Sequence, residues 1–80
     1  MEIHDAARKH RVRDGDITHA IDNALVSLDI SDGELPTRTL YLGPDRAGNM
    51  LEIVLLELDD GRALAIHAMA MRPKYRTRLP

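Results

Sequence analysis

The chain has no cysteine, no tryptophan and no phenylalanine, and among its 80 residues only Tyr41 and Tyr75 are aromatic. Without cysteine there is no disulfide frame, no thiolate zinc site and no cysteine nucleophile. With two aromatic rings, stacking platforms for single-stranded nucleic acid are nearly absent, which argues against an RRM or an OB-fold that grips bases by stacking. No apolar run approaches the length that crosses a bilayer. The opening Met1-Glu2-Ile3-His4-Asp5 lacks the basic and apolar regions of a signal peptide. The cytosol is the expected location, with no membrane contact. Familiar catalytic signatures are missing too: no phosphate-loop pattern, no paired-glycine nucleotide turn, no His-Glu-x-x-His and no nucleophile elbow. Gly43 to Gly48 is a Pro-containing loop between strands rather than a helix-opening phosphate cradle. His4, His10, His19 and His67 show no ligand spacing with a carboxylate, so no metal and no cofactor is expected.

What remains is an aliphatic core of Leu, Ile, Val, Ala and Met, enough for one thin domain spanning 1–80. Net charge is −2, and its distribution is uneven. Residues 1–13 carry +2, residues 14–71 carry −8 and residues 72–80 carry +4. Basic ends around an acidic middle suit a polyanion site or an oppositely charged protein surface; solvated termini are the plainer explanation.

Periodicity predicts the elements. Ile3, Ala6, Ala7 and His10 share a stripe at helical spacing, predicting a short helix over 3–10. Arg11-Val12-Arg13 breaks it. Asp14 is a plausible N-cap for a second helix carrying Ile17, Ala20, Ile21, Ala24 and Leu25 at helical spacing, with Asp16 in its first turn. From Val26 the period becomes two, predicting a strand over Val26 to Ile30. Loops at Ser31–Pro36 and Gly43–Asn49 flank a strand from Arg38 to Leu42. Met50 to Leu58 has apolar groups on both faces and should lie at the sheet centre. Asp59-Asp60-Gly61-Arg62 signals a hairpin returning along Ala63 to Ala70. Pro73 should stop pairing, leaving a basic segment 73–80 as one helical turn or a flexible tail. The expectation is an α+β domain, with two short N-terminal helices packed on a three- or four-stranded antiparallel sheet and a short C-terminal turn or helix.

His67 is the histidine of most interest. It lies late in the last strand, out of phase with Leu64 and Ile66, and shortly before the basic segment. An imidazole among cations can act as acid or base near neutral pH. The plainer reading is a half-exposed strand histidine. His19 should face solvent. Arg72, Lys74, Tyr75, Arg76 and Arg78 form the densest cationic group. Metal-free RNA cleavage needs only donors that hold phosphate, a group that takes the 2′-hydroxyl proton, and cations that stabilise the pentacoordinate charge. The same strip could equally dock an acidic partner. Asp59 and Asp60 are explained by their turn; Glu52, Glu57, Asp14 and Asp16 read as solvated polar positions.

Two stretches resemble the BrnT-type toxins of the RelE-like ribonuclease group: Ala7-Arg8-Lys9-His10-Arg11-Val12-Arg13, where that family shows Arg-Lys-His-Gly-Val-Ser, and Ile66-His67-Ala68-Met69-Ala70-Met71-Arg72, where it shows Ile-Ser-Ala-Arg and then an Arg/Glu-rich helix. Leu40–Arg46 and Ile66–Met69 are similar to segments of an actinobacterial-type set of toxin-like proteins. The resemblance implies a toxin of a type II toxin–antitoxin system, a metal-independent ribonuclease acting on mRNA. It implies that Lys9, His10, the end of the last strand, Arg72, Lys74 and Arg76 lie near the active face; on the nuclease reading Lys9, His10 and Arg76 would bind substrate, and His67, Arg72, Lys74 and Tyr75 would serve catalysis. It also implies an antitoxin, often with a ribbon-helix-helix domain, covering this face. Departures are Arg11 for the family's Gly, Arg13 for its Ser, His67 at its strand Ser, Met69 for its strand-end Arg, and Pro73 interrupting its last helix. Loss of the strand-end Arg removes a phosphate clamp, leaving His67 as a replacement or the protein inactive. The alternative is a non-enzymatic module that docks an acidic partner, or pairs with a second copy, through its basic ends. The nuclease reading requires that folding bring both basic ends to His67.

Overall fold

Alternation of apolar and polar residues becomes strand wherever Asp- and Gly-containing loops punctuate it. The computed structural model describes residues 1–80. In order these are β1 (Glu2–Ile3), a 3₁₀ turn (Asp5–Arg8), α1 (Asp14–Asp22), β2 (Val26–Asp29), β3 (Thr37–Pro44), β4 (Met50–Glu57), β5 (Ala63–Ala70) and a second 3₁₀ turn (Pro73–Arg78). The sheet order is β1-β5-β4-β3-β2, with β4 in the middle. The α+β class is as the sequence predicts. The sheet is larger, with five strands, and mixed, because β1 runs parallel to β5 while the other pairs are antiparallel.

The predicted helix over 3–10 is the main departure. Glu2 and Ile3 instead pair with Leu64 and Ala65 on the open edge of β5, and His4 N–H donates to the Ala65 carbonyl at 2.9 Å. An edge offering unpaired backbone groups outcompetes a helix too short to satisfy its own. His4 Nδ1 then accepts from Ala6 N–H, capping a turn of four residues rather than a helix. Arg11, at φ 61°, ends this segment in the left-handed region. A side chain there costs about 1 kcal/mol that glycine avoids.

β1 and β2 are opposite edges of the sheet, so the chain between them must cross it. Five strands span roughly 19 Å at ~4.8 Å spacing, and α1 makes the crossing on one face. There Ile17 and Ala20 pack with Ala7, Leu51, Ile53, Leu55, Ala65 and Ala68, all buried. Asp14 is the first residue of α1 rather than its cap, its carboxylate taken by Arg8 at 2.9 Å; Arg13 holds the cap position without a side-chain bond, since a guanidinium has no acceptor. Gly43 lets α1 approach β3 closely: a Cβ there would lie 2.0 Å from the Ala20 carbonyl oxygen. His19 is not turned to solvent as predicted. It is half-buried, its Nδ1 2.9 Å from the Pro44 carbonyl oxygen, fastening α1 to the end of β3. Asp16 accepts from the backbone and side chain of Arg46, fastening the β3–β4 turn.

No helix is long and apolar enough to cross a membrane.

Candidate active site

Because Leu51, Ile53 and Leu55 face α1, Glu52, Val54 and Leu56 must point from the other face of the sheet. Leu40 and Leu42 of β3 lie on that face as well, in register with Val54 and Glu52, and are buried. Glu52 is fully buried beside them. The expectation that it is a solvated polar position is wrong. The sign was present in the sequence: its neighbours on both faces are aliphatic, and a lone carboxylate in such a strand has to find partners.

One partner is His67, and a β-bulge delivers it. Val54 pairs with His67 but Leu55 pairs with Ala65, so Ile66 is an extra residue in β5. Strict alternation from Leu64 and Ala65 would turn His67 towards α1. The bulge shifts the phase by one residue and turns it to the Glu52 face. As a diagonal cross-strand neighbour, His67 Nε2 reaches Glu52 Oε1 at 2.8 Å. Its side chain remains 30% exposed.

The second partner is Arg72, just beyond the end of β5. Its backbone N–H donates to Glu52 Oε2 at 2.9 Å, and its Nη2 and Nε donate to Oε1 at 2.7 and 3.0 Å. Burial acts to raise the Glu52 carboxyl. The hydrogen bonds from the Arg72 side chain, the Arg72 backbone and His67 outweigh it and hold the group below its ordinary value of 4.5. Glu52 is thus an ionised carboxylate with every site satisfied, and no buried side-chain polar atom of the protein lacks a partner.

His10 completes the cluster. The exposed ring stands edge-on to His67, centroids 6.0 Å apart and planes at 79°. Residues 4–10 run along the edge of β5, which is how the N-terminal basic segment meets a histidine on the face opposite α1. Tyr75, half-buried in the second 3₁₀ turn, has Lys74 Nζ 5.0 Å and Arg72 Cζ 5.8 Å from its ring centroid. That is within cation–π range. Pro73 opens this turn, as a residue with fixed φ and no N–H can.

Of the residues singled out from sequence, His10, His67 and Arg72 come together, and Lys74 and Tyr75 adjoin Arg72. Lys9, which follows the first 3₁₀ turn, and Arg76, within the second, are exposed and make no ion pair. Arg72 is not a free phosphate donor, since its guanidinium is committed to Glu52. No group of three or more His, Cys, Asp or Glu side chains could hold a metal ion. A depression of about 310 Å³ lined by Leu35, Pro36, Leu58 and Asp59 lies at the far end of the sheet, while His10 is exposed and His67 partly so. Comparison with protein-family models, curated proteins and solved structures gives no match.

Proposed function

We propose that the protein is a toxin-like, metal-independent endoribonuclease of a bacterial type II toxin–antitoxin system, with His67 and His10 as its acid–base pair. The observation that carries this reading is the approach of the two imidazole rings to 6.0 Å, with one ring braced by a buried ionised carboxylate. In-line cleavage of RNA needs a proton acceptor and a proton donor, and two imidazoles can fill both roles. A neutral imidazole takes the proton from a 2′-hydroxyl, and O2′ attacks phosphorus. The P–O5′ bond breaks, and an imidazolium gives its proton to O5′. The products are a 2′,3′-cyclic phosphate and a 5′-hydroxyl end, with no net redox change. His67, the braced ring, suits the base; exposed His10 suits the acid.

Cations must offset the charge of the pentacoordinate phosphate. Lys9, Lys74 and Arg76 are unpaired and flank the two rings in sequence, and they take this role in place of the committed Arg72. If these three cations contact a single strand, log affinity falls with log salt at a slope of about −2. The left-handed conformation of Arg11 falls where the resembling toxins carry glycine, which supports that kinship independently of the histidines. An exposed face is also what an antitoxin would cover, with acidic side chains on Lys9, Lys74 and Arg76.

Expression in a bacterial host tests the reading. The wild-type chain is expected to arrest growth and cut mRNA, whereas His67→Ala leaves growth and RNA intact. Unimpaired growth with intact RNA at high wild-type expression favours the non-enzymatic docking module.

A further inference from the structure

We propose that Glu52 is a positioning residue with two dependants: it holds His67 with Nε2 protonated and Nδ1 bearing the lone pair, and it anchors the basic segment 72–78 beside that ring. For its catalytic consequence this rests on the ribonuclease reading; its structural content does not.

The first half follows from hydrogen-bond chemistry. An ionised carboxylate only accepts, so His67 Nε2, at 2.8 Å from Oε1, must donate. A neutral imidazole has one N–H, which leaves Nδ1 unprotonated. Nδ1 makes no hydrogen bond within the chain. Nδ1 is therefore the atom that receives the 2′-hydroxyl proton. The ring charge that results is stabilised by Glu52 through Nε2–H.

The second half follows from where Arg72 sits. The same carboxylate takes both its backbone N–H and its guanidinium. Backbone and side-chain contacts together fix the chain's position and its direction. Pro73 follows immediately and commits it to the 3₁₀ turn bearing Lys74, Tyr75 and Arg76. One carboxylate thus sets the spacing between the base and the cations.

Stability gives no reason for this arrangement. A buried ion pair is worth about as much as, or less than, an apolar residue of similar volume. Val54 and Leu56 continue the same face of β4, so an aliphatic residue at position 52 would extend their stripe. The carboxylate is explained by what it orients.

The test combines side-chain ¹⁵N–¹H spectra, with the His67 ring neutral, and cleavage of a single-stranded RNA oligonucleotide in EDTA. In the wild type a solvent-protected Nε2–H signal and an unprotonated Nδ1 are expected. Glu52→Met should stay folded, lose the Nε2–H protection, and cut RNA slower by roughly tenfold or more. Glu52→Gln retains an acceptor oxygen for Nε2–H but lacks the charge that holds Arg72. It should keep the histidine signal and lose the protected Arg72 Nε–H signal. A wild-type ring protonated on Nδ1, or Nε2–H protection that survives in Glu52→Met, would overturn the proposal. If the wild type cuts no RNA, the ribonuclease reading fails by itself, and the spectra still decide whether Glu52 positions His67 and Arg72.

Discussion

The two faces of the sheet are made by the same strands and differ by one residue in phase. On β4, Leu51, Ile53 and Leu55 meet α1 in a dry aliphatic layer. Alternate residues Glu52, Val54 and Leu56 meet a carboxylate–histidine–arginine cluster and half-buried aliphatics. The first face is assembled for burial: apolar transfer needs no directional partners, and its small residues (Ala7, Ala20, Ala65, Ala68) let a single short helix approach closely. The second holds charges where burial alone would disfavour them, and it takes a bulge and a chain terminus to satisfy them. Dry packing and the charged cluster are thus separated onto opposite sides of one layer.

The separation can be broken from either side. The largest effect is expected on the polar face, in activity rather than stability. His67→Ala and His10→Ala should each lower RNA cleavage by roughly 10²–10⁴-fold while leaving the circular dichroism spectrum unchanged. On the α1 face the reverse holds. Ile53→Ala removes a fully buried side chain and should cost about 2–5 kcal/mol of unfolding free energy in urea titration. Gly43→Ala should cost roughly 1–3 kcal/mol by pushing α1 off β3, with both histidines left in place.

A smaller effect concerns acid. The Glu52 carboxyl is held below 4.5 in the folded protein. Its ionised form therefore stabilises the fold, fully so above pH 4.5, and the contribution is lost as pH falls through the lower folded-state value. Glu52→Gln should flatten the fall in thermal midpoint over that range. Some acid sensitivity remains in the variant, because Asp14 and Asp16 are likewise held low by hydrogen bonds from Arg8 and Arg46. The smallest change sharpens the account of the N-terminal segment. Arg11→Gly relieves a left-handed arginine and should raise stability by up to about 1 kcal/mol, read from the urea midpoint.

The α1 face was legible because its signal is local. Alternation in Met50–Leu58 marks the central strand, Asp-Gly marks the hairpin with Gly61 at φ 86°, and the spacing of Ile17 and Ala20 marks α1. The polar face was only half legible. His67 and Arg72 stood out by residue type, and His10 through a resemblance. Glu52 reads as a solvated carboxylate by residue type alone, although the aliphatic Val54 and Leu56 on its side of β4 already mark that face as covered. The bulge at Ile66 leaves no mark in the local pattern, since it is set by pairing with β4. Residues 2–3 join the sheet for a similar reason. A two-residue strand is too short to show a period, and the edge of β5 that recruits it lies some sixty residues away along the chain. The placement of His19 is not legible locally, because its acceptor is a backbone carbonyl of another element.

The most direct measurement incubates the purified protein with a single-stranded RNA oligonucleotide in EDTA, beside the His10→Ala/His67→Ala double variant, and identifies the new ends by mass spectrometry. The expected result is 2′,3′-cyclic phosphate and 5′-hydroxyl ends from the wild type and intact RNA from the double variant. Intact RNA with both proteins, or equal cutting by both, would contradict the assignment of the two imidazoles as an acid–base pair.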